Sequence, residues 1–347
     1  LYRIFIGKEK NEKLVSSETI STENKSLTHR TALWIRLNLF IPDARVGWNF
    51  TATKMASRFI QKEKVDAIVS IGPPHSSHLI GLKLSKRFDI PHIPVLIDPW
   101  VDIVYYKNLK RSFLTKKIDN RFEKSVLQNA KHIVFVNNST EEDYQKKYDF
   151  IKNKSSVLYW GYDEEAFKDL KTGQLRKDEK TIVHAGNMFA YQNPKSFWKQ
   201  IKVENEKGNK IRIRFIGSVD KEILEYLDSK GLKENVQLMG FLPYHEMLKE
   251  ILQADMLLVC STEPRHVPGK LFEALRTGNP IITFGDNNEE VKKIIEDANA
   301  GMMFRYDESG SEFLQVLDKI KPDQTFVKKY DRAEISQMFW LILKKLF

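Results

Sequence analysis

Lys270 and Glu273 are spaced to share one face of a helix. They carry the two groups a nucleotide needs, an ammonium for a diphosphate and a carboxylate for two ribose hydroxyls. The run around them, residues 260–285, reads CSTEPRHVPGKLFEALRTGNPIITFG. Met256 to Cys260 is short and apolar throughout, as a strand buried on both faces should be. Ser261 to Val267 is polar and turn-forming, and Pro268 falls where proline is best tolerated, at the first position of a helix. The helix predicted over Gly269 to Arg276 is closed by Gly278 and Pro280, and Ile281 to Phe284 resumes as strand. This is a βαβ crossover, whose ligand belongs beyond the carboxyl ends of the strands. Amides at the helix start donate to anions, and Arg265 in the loop suits the forked binding of a phosphate or carboxylate. On spacing alone an amphipathic helix with a solvated lysine and glutamate is equally open.

The elements that must position these residues alternate strand and helix in both halves, the pattern of a parallel sheet covered on both faces. Strands are predicted at 67–71, 92–97, 132–136 and 156–159, then at 181–185, 212–216, 236–239, 256–260 and 281–284. A chain of 347 residues exceeds one comfortable core, and 41% hydrophobic residues are enough for two. Residues 168–180, charged and without apolar periodicity, are the best linker. Residues 331–347 carry apolar side chains at spacings of three and four and are predicted helical. Leu1 to Ile6 has the composition of a strand, whereas 7–30 is too polar for a core.

Several functions are disfavoured. The single cysteine, Cys260, excludes a disulfide framework, fits a reducing cytoplasm and is expected to be a small core residue. No apolar run approaches the ~20 residues that span a bilayer. There is no Gly-x-Gly-x-x-Gly dinucleotide fingerprint, no Gly-Lys-Ser/Thr ending of a P-loop and no zinc-finger or RNA-recognition signature, so nucleic acid is not an expected partner. The net charge of +10 has a local source in 107–124, where seven basic residues stand against Asp119 and Glu123. Tyr105, Tyr106, Phe113 and Leu114 lie among them. Residues 105–124 are thus either a solvated helical face or a contact for anionic lipid on the inner face of the membrane.

The run PGKLFEALRTGNPII resembles the P-x-K-x-x-E-x-x-x-x-G-x-P-(I/V)-(I/L) signature of the group 1, family-4-like glycosyltransferases, in particular those that build bacterial polysaccharides. The resemblance implies an α/β protein of the GT-B fold: two Rossmann-like parallel-sheet lobes facing a cleft, an acceptor lobe over 1–167 and a donor lobe over 168–330, with the helix 331–347 crossing back to the first. It implies a donor site built from Glu263, Arg265, His266, Val267, Pro268, Gly269, Lys270, Leu271 and Glu273. SIGPPHSSHLIG, residues 70–81, is similar to a family sequence that places His75 at the cleft. Likewise IPHIPVLIDPW, residues 90–100, is similar to a strand end that brings Asp98 near the transferred sugar. HAGNMFAYQNPKSFW, residues 184–198, resembles the segment that holds the leaving diphosphate, which implicates Gly186, Asn187 and Lys195.

There are departures. Ile97 stands where the family often has arginine before the aspartate, and Asn187 and Gln192 stand near positions of further arginines. Arg265 occupies the place of the first of two paired glutamates, with Glu263 the nearest acid. The family's opening strand and glycine-rich loop are not recognisable, as in a fragment or a divergent member. The implied activity is transfer of a sugar, with retention, from a nucleotide diphosphate donor to a surface-glycan or lipid-linked saccharide acceptor. Asp98, His75 and Lys270 are then the catalytic residues. No cofactor or metal is expected, since the chain lacks an Asp-x-Asp pair. The alternatives are a nucleotide-sugar 2-epimerase of the same fold and a non-catalytic binding protein.

Overall fold

The structure is a computed structural model describing residues 27–103, 109–170, 179–261 and 263–346. Leu1 to Ile6, the tyrosines at 105 and 106, Lys107 and most of the expected linker lie outside the described residues. Contacts divide the chain into two units, the first running to Val136 and including Thr140–Val157, the second comprising Asn137–Ser139 and Leu158 onward. The division thus comes ten residues before the expected boundary at 167, and the C-terminal helix groups with the second unit.

In the first unit, α1 (Leu27–Asn38) and α2 (Trp48–Ile60) precede the alternation β1 (Ile68–Gly72), α3 (Ser76–Phe88), β2 (His92–Leu96), α4 (Phe113–Asn129), β3 (Ile133–Phe135), α5 (Asn138–Lys147) and β4 (Ser155–Val157). The four strands are parallel in the order β1-β2-β3-β4. The middle strands are continuous apolar runs because both faces are covered. Ser76 and Ser77 do not cap α3 with their side chains. The Asp43 carboxylate instead accepts from the Ser76 amide at 2.7 Å and its hydroxyl at 3.0 Å, and the Ser77 hydroxyl donates to the Ile71 carbonyl.

The second unit contains β5 (Lys180–Ala185), α6 (Lys195–Glu206), β6 (Ile211–Ile216), α7 (Lys221–Ser229), β7 (Val236–Gly240), α8 (Tyr244–Leu252), β8 (Met256–Cys260), α9 (Lys270–Thr277), β9 (Ile281–Phe284), α10 (Glu289–Asp297) and β10 (Gly301–Phe304). Short helices α11 (Ser311–Val316) and α12 (Gln324–Val327) lead to α13 (Arg332–Leu346). Its six strands are parallel in the order β10-β9-β8-β5-β6-β7. Two apolar layers cover the sheet. Leu257, Leu271, Leu275 and Ile295 belong to one and Phe197, Trp198, Phe215 and Phe284 to the other, all at most 2% exposed. Cys260 is in this core at 1% exposure, and burial pushes its thiol up to about 12, so it is no nucleophile.

The basic run is partly corrected as well. Arg111 turns inward to an ion pair with Asp119, whose side chain is wholly buried, and Glu123 is buried too. A helix interior this polar is unlike a solvated face, although Phe113, Leu114, Lys116 and Lys117 do remain exposed.

Candidate functional site

In the second unit, three adjacent strands end in glycines with positive φ, Gly186 after β5, Gly217 after β6 and Gly240 closing β7. They are joined by hydrogen bonds from the Gly186 amide to the Ile216 carbonyl and from the Gly217 amide to the Gly240 carbonyl, each 2.7 Å. A Cβ on Gly217 would come within 2.6 Å of the Gly186 carbonyl oxygen, so the backbones approach as closely as only glycine allows. With side chains removed from these carboxyl ends, a cavity of about 530 Å³ opens, floored by Gly186 and Gly217 and walled by Phe241, Leu242, Tyr244 and Met247. Its far wall is the start of α9, Pro268 to Lys270. The size is that of a site for a nucleotide-sized ligand.

The helix begins one residue later than predicted. Gly269 is the N-cap and Pro268 precedes it, because the amides of Leu271 and Phe272 already turn back to the carbonyls of Pro268 and Gly269. The amides of Gly269 and Lys270 find no acceptor among the described residues and stand at the cavity wall. Lys270 is not solvated. Its Nζ lies 3.2 Å from His184 Nε2 and would sit 3.4 Å from a Cβ at Gly186. His184 is fully buried, with Nδ1 3.0 Å from the Leu258 carbonyl. That contact assigns the proton to Nδ1 and leaves Nε2 to accept from the ammonium. Burial lowers the Lys270 pKa to about 8, and with the neighbouring Lys270 it holds His184 well below its usual range. The result is a desolvated cation with few competing partners, fit to receive a phosphate charge.

Glu273, one turn along, accepts from the Tyr244 hydroxyl at 3.0 Å, and burial raises its pKa despite that bond. The loop before α9 is held by Asn288, 2% exposed, whose amide donates to the carbonyls of Glu263 and His266 while its oxygen caps α10 at the Val291 amide. His266 lines the cavity, with its pKa lowered to about 4 by burial first and Lys270 second. Glu263 and Arg265 pair with each other at 3.2 Å. Val267 packs against the core and Leu271 is inside it.

The structure therefore brings together Gly186, Asn187, His266, Pro268, Gly269 and Lys270, with Glu273 in the cavity directly behind. Asn187 also accepts from the Ser218 hydroxyl at 2.8 Å. Lys195 is placed elsewhere: it is exposed at the start of α6, with its ammonium 5.6 Å from the Tyr226 ring, whose hydroxyl donates to the Lys195 carbonyl. Gln192, expected in place of an arginine, is buried and spans from the Phe189 amide to the Cys260 carbonyl. His184, Tyr244 and Asn288 were not predicted. They belong to other elements than α9, and a buried histidine within a strand carries no distinctive spacing.

In the first unit His75 follows β1 and Asp98 follows β2, at the carboxyl ends of two paired strands. His75 is 6% exposed and stacked on Trp100, ring centroids 5.1 Å apart and 7° from parallel, and burial drives its pKa down to about 3. The Asp98–Asp102 segment is anchored from α4 and α5. Trp100 Nε1 donates to Asp119 and its amide to the Tyr144 hydroxyl, which donates to Glu123, while Lys147 bridges Glu123 and Asp102. The two acids counted against a basic run are thus what holds the Asp98 segment in shape. Among the described residues no group of three or more His, Cys, Asp and Glu side chains is placed to hold a metal ion.

Residues 166–335 match the family described as "Glycosyl transferases group 1", and residues 18–166 match "Glycosyltransferase Family 4". Among solved structures the chain is similar to Anabaena HepE in complex with UDP at 14% identity and a TM-score of 0.66, over 86% of this chain and 82% of that one. It is similar to sucrose-phosphate synthase from Thermosynechococcus elongatus at 15% identity and a TM-score of 0.64, over 89% and 80%. A glycosyltransferase from Rickettsia africae shows 13% identity and a TM-score of 0.64, over 86% and 81%. No curated protein matches.

Proposed function

The chain belongs to the group 1 glycosyltransferases of the GT-B fold, and from that membership we propose that it transfers a sugar, with retention, from a nucleoside diphosphate sugar to a surface-glycan or lipid-linked saccharide. The observation that carries the donor reading is Lys270. Its ammonium lies over Gly186 beside the amides of Gly269 and Lys270, which have no acceptor among the described residues, at one end of a cavity whose other end is apolar and aromatic. The diphosphate sits at the amides and ammonium, the ribose hydroxyls reach Glu273, and the base lies against Phe241, Leu242 and Tyr244. Anabaena HepE was solved with UDP and with UDP-glucose, which makes a uridine nucleotide the first donor to try.

During transfer the bond from the anomeric carbon to the diphosphate oxygen breaks, leaving positive charge on the sugar ring and negative charge on the leaving group. Lys270 and the helix-end amides stabilise the latter without reorganising. The acceptor oxygen bonds to the anomeric carbon on the face the diphosphate leaves, and its proton passes to a diphosphate oxygen, so no strong protein base is required. Asp98 and His75 take the acceptor-side roles of orienting hydroxyls and supporting ring charge. Burial holds His75 neutral at physiological pH, which suits it to hydrogen bonding and not to carrying charge. A lipid-linked acceptor would set the reaction at the cytoplasmic face of a membrane.

Incubation with nucleotide sugars and a panel of saccharide acceptors, followed by NMR of the product, tests this reading. The expected product carries a new glycosidic bond with the anomeric configuration of the donor. An inverted product would overturn retention, and an epimerised nucleotide sugar formed without acceptor would overturn transfer.

A further inference from the structure

The end of α1 and the start of α4 are tied by one side chain. Asn38, 6% exposed, accepts from the Ser112 amide at 2.7 Å and the Thr115 hydroxyl at 3.0 Å, and donates to the Lys110 carbonyl at 3.2 Å. The residues next to this tie point away from the core. Leu39 and Leu114 are each 65% exposed, Phe40 40% and Phe113 82%. Neither 27–42 nor 109–118 contains an acidic residue, whereas Lys110, Lys116 and Lys117 lie there exposed. The nearest acids are engaged inward, Asp43 on the start of α3 and Asp119 on Arg111 and Trp100. The neighbouring helix α2 has the same inverted character, with Thr53 and Ser57 buried while Phe50, Met55 and Phe59 are at least 59% exposed alongside Lys54 and Arg58.

Large apolar side chains that protrude from two segments carrying lysines and no acid match an interfacial contact: the apolar groups enter the headgroup and acyl boundary while the cations stay on lipid phosphates. A symmetric contact between two copies would set these cations against one another, and the chain as a whole carries +10. No helix among the described residues is long and apolar enough to cross a membrane. We propose that the surface formed by Leu39, Phe40, Phe113 and Leu114, with Lys110, Lys116 and Lys117 around it, docks on an anionic lipid bilayer. Docking is independent of the donor reading, needs no nucleotide and is measured without one.

The test is co-sedimentation of the full chain with phosphatidylcholine vesicles, with and without phosphatidylglycerol, at low and high salt. Binding is expected only to the anionic vesicles and is weakened by salt. Lys116→Gln with Lys117→Gln should lower the partition coefficient roughly thirtyfold, since each cation near such a surface contributes about a factor of five. Phe113→Ser with Leu114→Ser should lower it by about tenfold or more. All four positions are exposed, so thermal midpoints should be unchanged in both variants. No binding to anionic vesicles, or binding that both variants leave intact, would overturn the proposal. So would a dimer in sedimentation velocity that the apolar variant dissolves while vesicle binding is absent.

Discussion

Lys270→Ala is expected to lower the rate of sugar transfer by about 10² to 10³, the scale on which one preorganised donor to a developing oxyanion contributes. Fold stability should hold or rise. The ammonium is desolvated enough for its pKa to fall to about 8, so below that pH the folded state bears a charge that the unfolded state would carry at less cost. Its contribution to stability grows as pH rises from about 8 toward the ordinary lysine value. A bound diphosphate reverses that logic by favouring the protonated amine, so donor binding near pH 8 should take up protons. A variant with unchanged transfer and a lowered thermal midpoint would show that the lysine is a packing residue.

Acid should destabilise the first unit steeply. His75 and His92 have pKa values lowered to about 3 and about 4, and His78 lies well below its usual range, in each case chiefly through burial. Ser70 bonds both His78 Nδ1 and His92 Nε2 at 2.7 Å. Since all three stay neutral when folded, their contribution is intact above the unfolded value near 6.5 and is lost as pH falls from there toward 4. Each histidine should remove about 1.4 kcal/mol per pH unit across that window. Three together remove about 4 kcal/mol per pH unit, a large share of the ~5–15 kcal/mol that a domain holds in reserve. Unfolding followed by circular dichroism from pH 7.5 to 5 measures the slope, and His92→Asn should flatten it by one proton. A stability that is flat over this range would contradict the assignment of neutral buried histidines.

The fold was largely readable in the sequence because parallel strands covered on both faces are unbroken apolar runs. Met256–Cys260 and Ile281–Phe284 occur at the predicted residues, and the other seven strands differ only at their ends. The tenth strand, Gly301–Phe304, was not anticipated. It opens with glycine, holds two methionines and lies on the sheet edge only half-buried, so its composition is weak. At the site, Lys270 and Glu273 were readable because helical periodicity fixes their shared face. What turns that face into a pocket was not: His184 under Lys270, Tyr244 on Glu273 and Asn288 beneath the loop all come from other elements. The charge count over 107–124 could not separate inward from outward residues for the same reason, as nothing local in the sequence shows Arg111 folding inward onto Asp119 or Glu123 receiving Tyr144 and Lys147.

The most direct measurement of the donor site is a calorimetric titration, without added metal, of uridine or guanosine diphosphate and its 2′,3′-dideoxy analogue into wild type and Glu273→Gln. Wild type should bind the ribonucleotide and lose about tenfold to hundredfold in affinity for the dideoxy analogue, the ~1.5–3 kcal/mol of a hydrogen bond to a charged group. Glu273→Gln should bind both ligands about as weakly as wild type binds the dideoxy form. The absence of any nucleotide binding, or an equal loss for both ligands on going from wild type to the variant, would contradict a ribose held by Glu273.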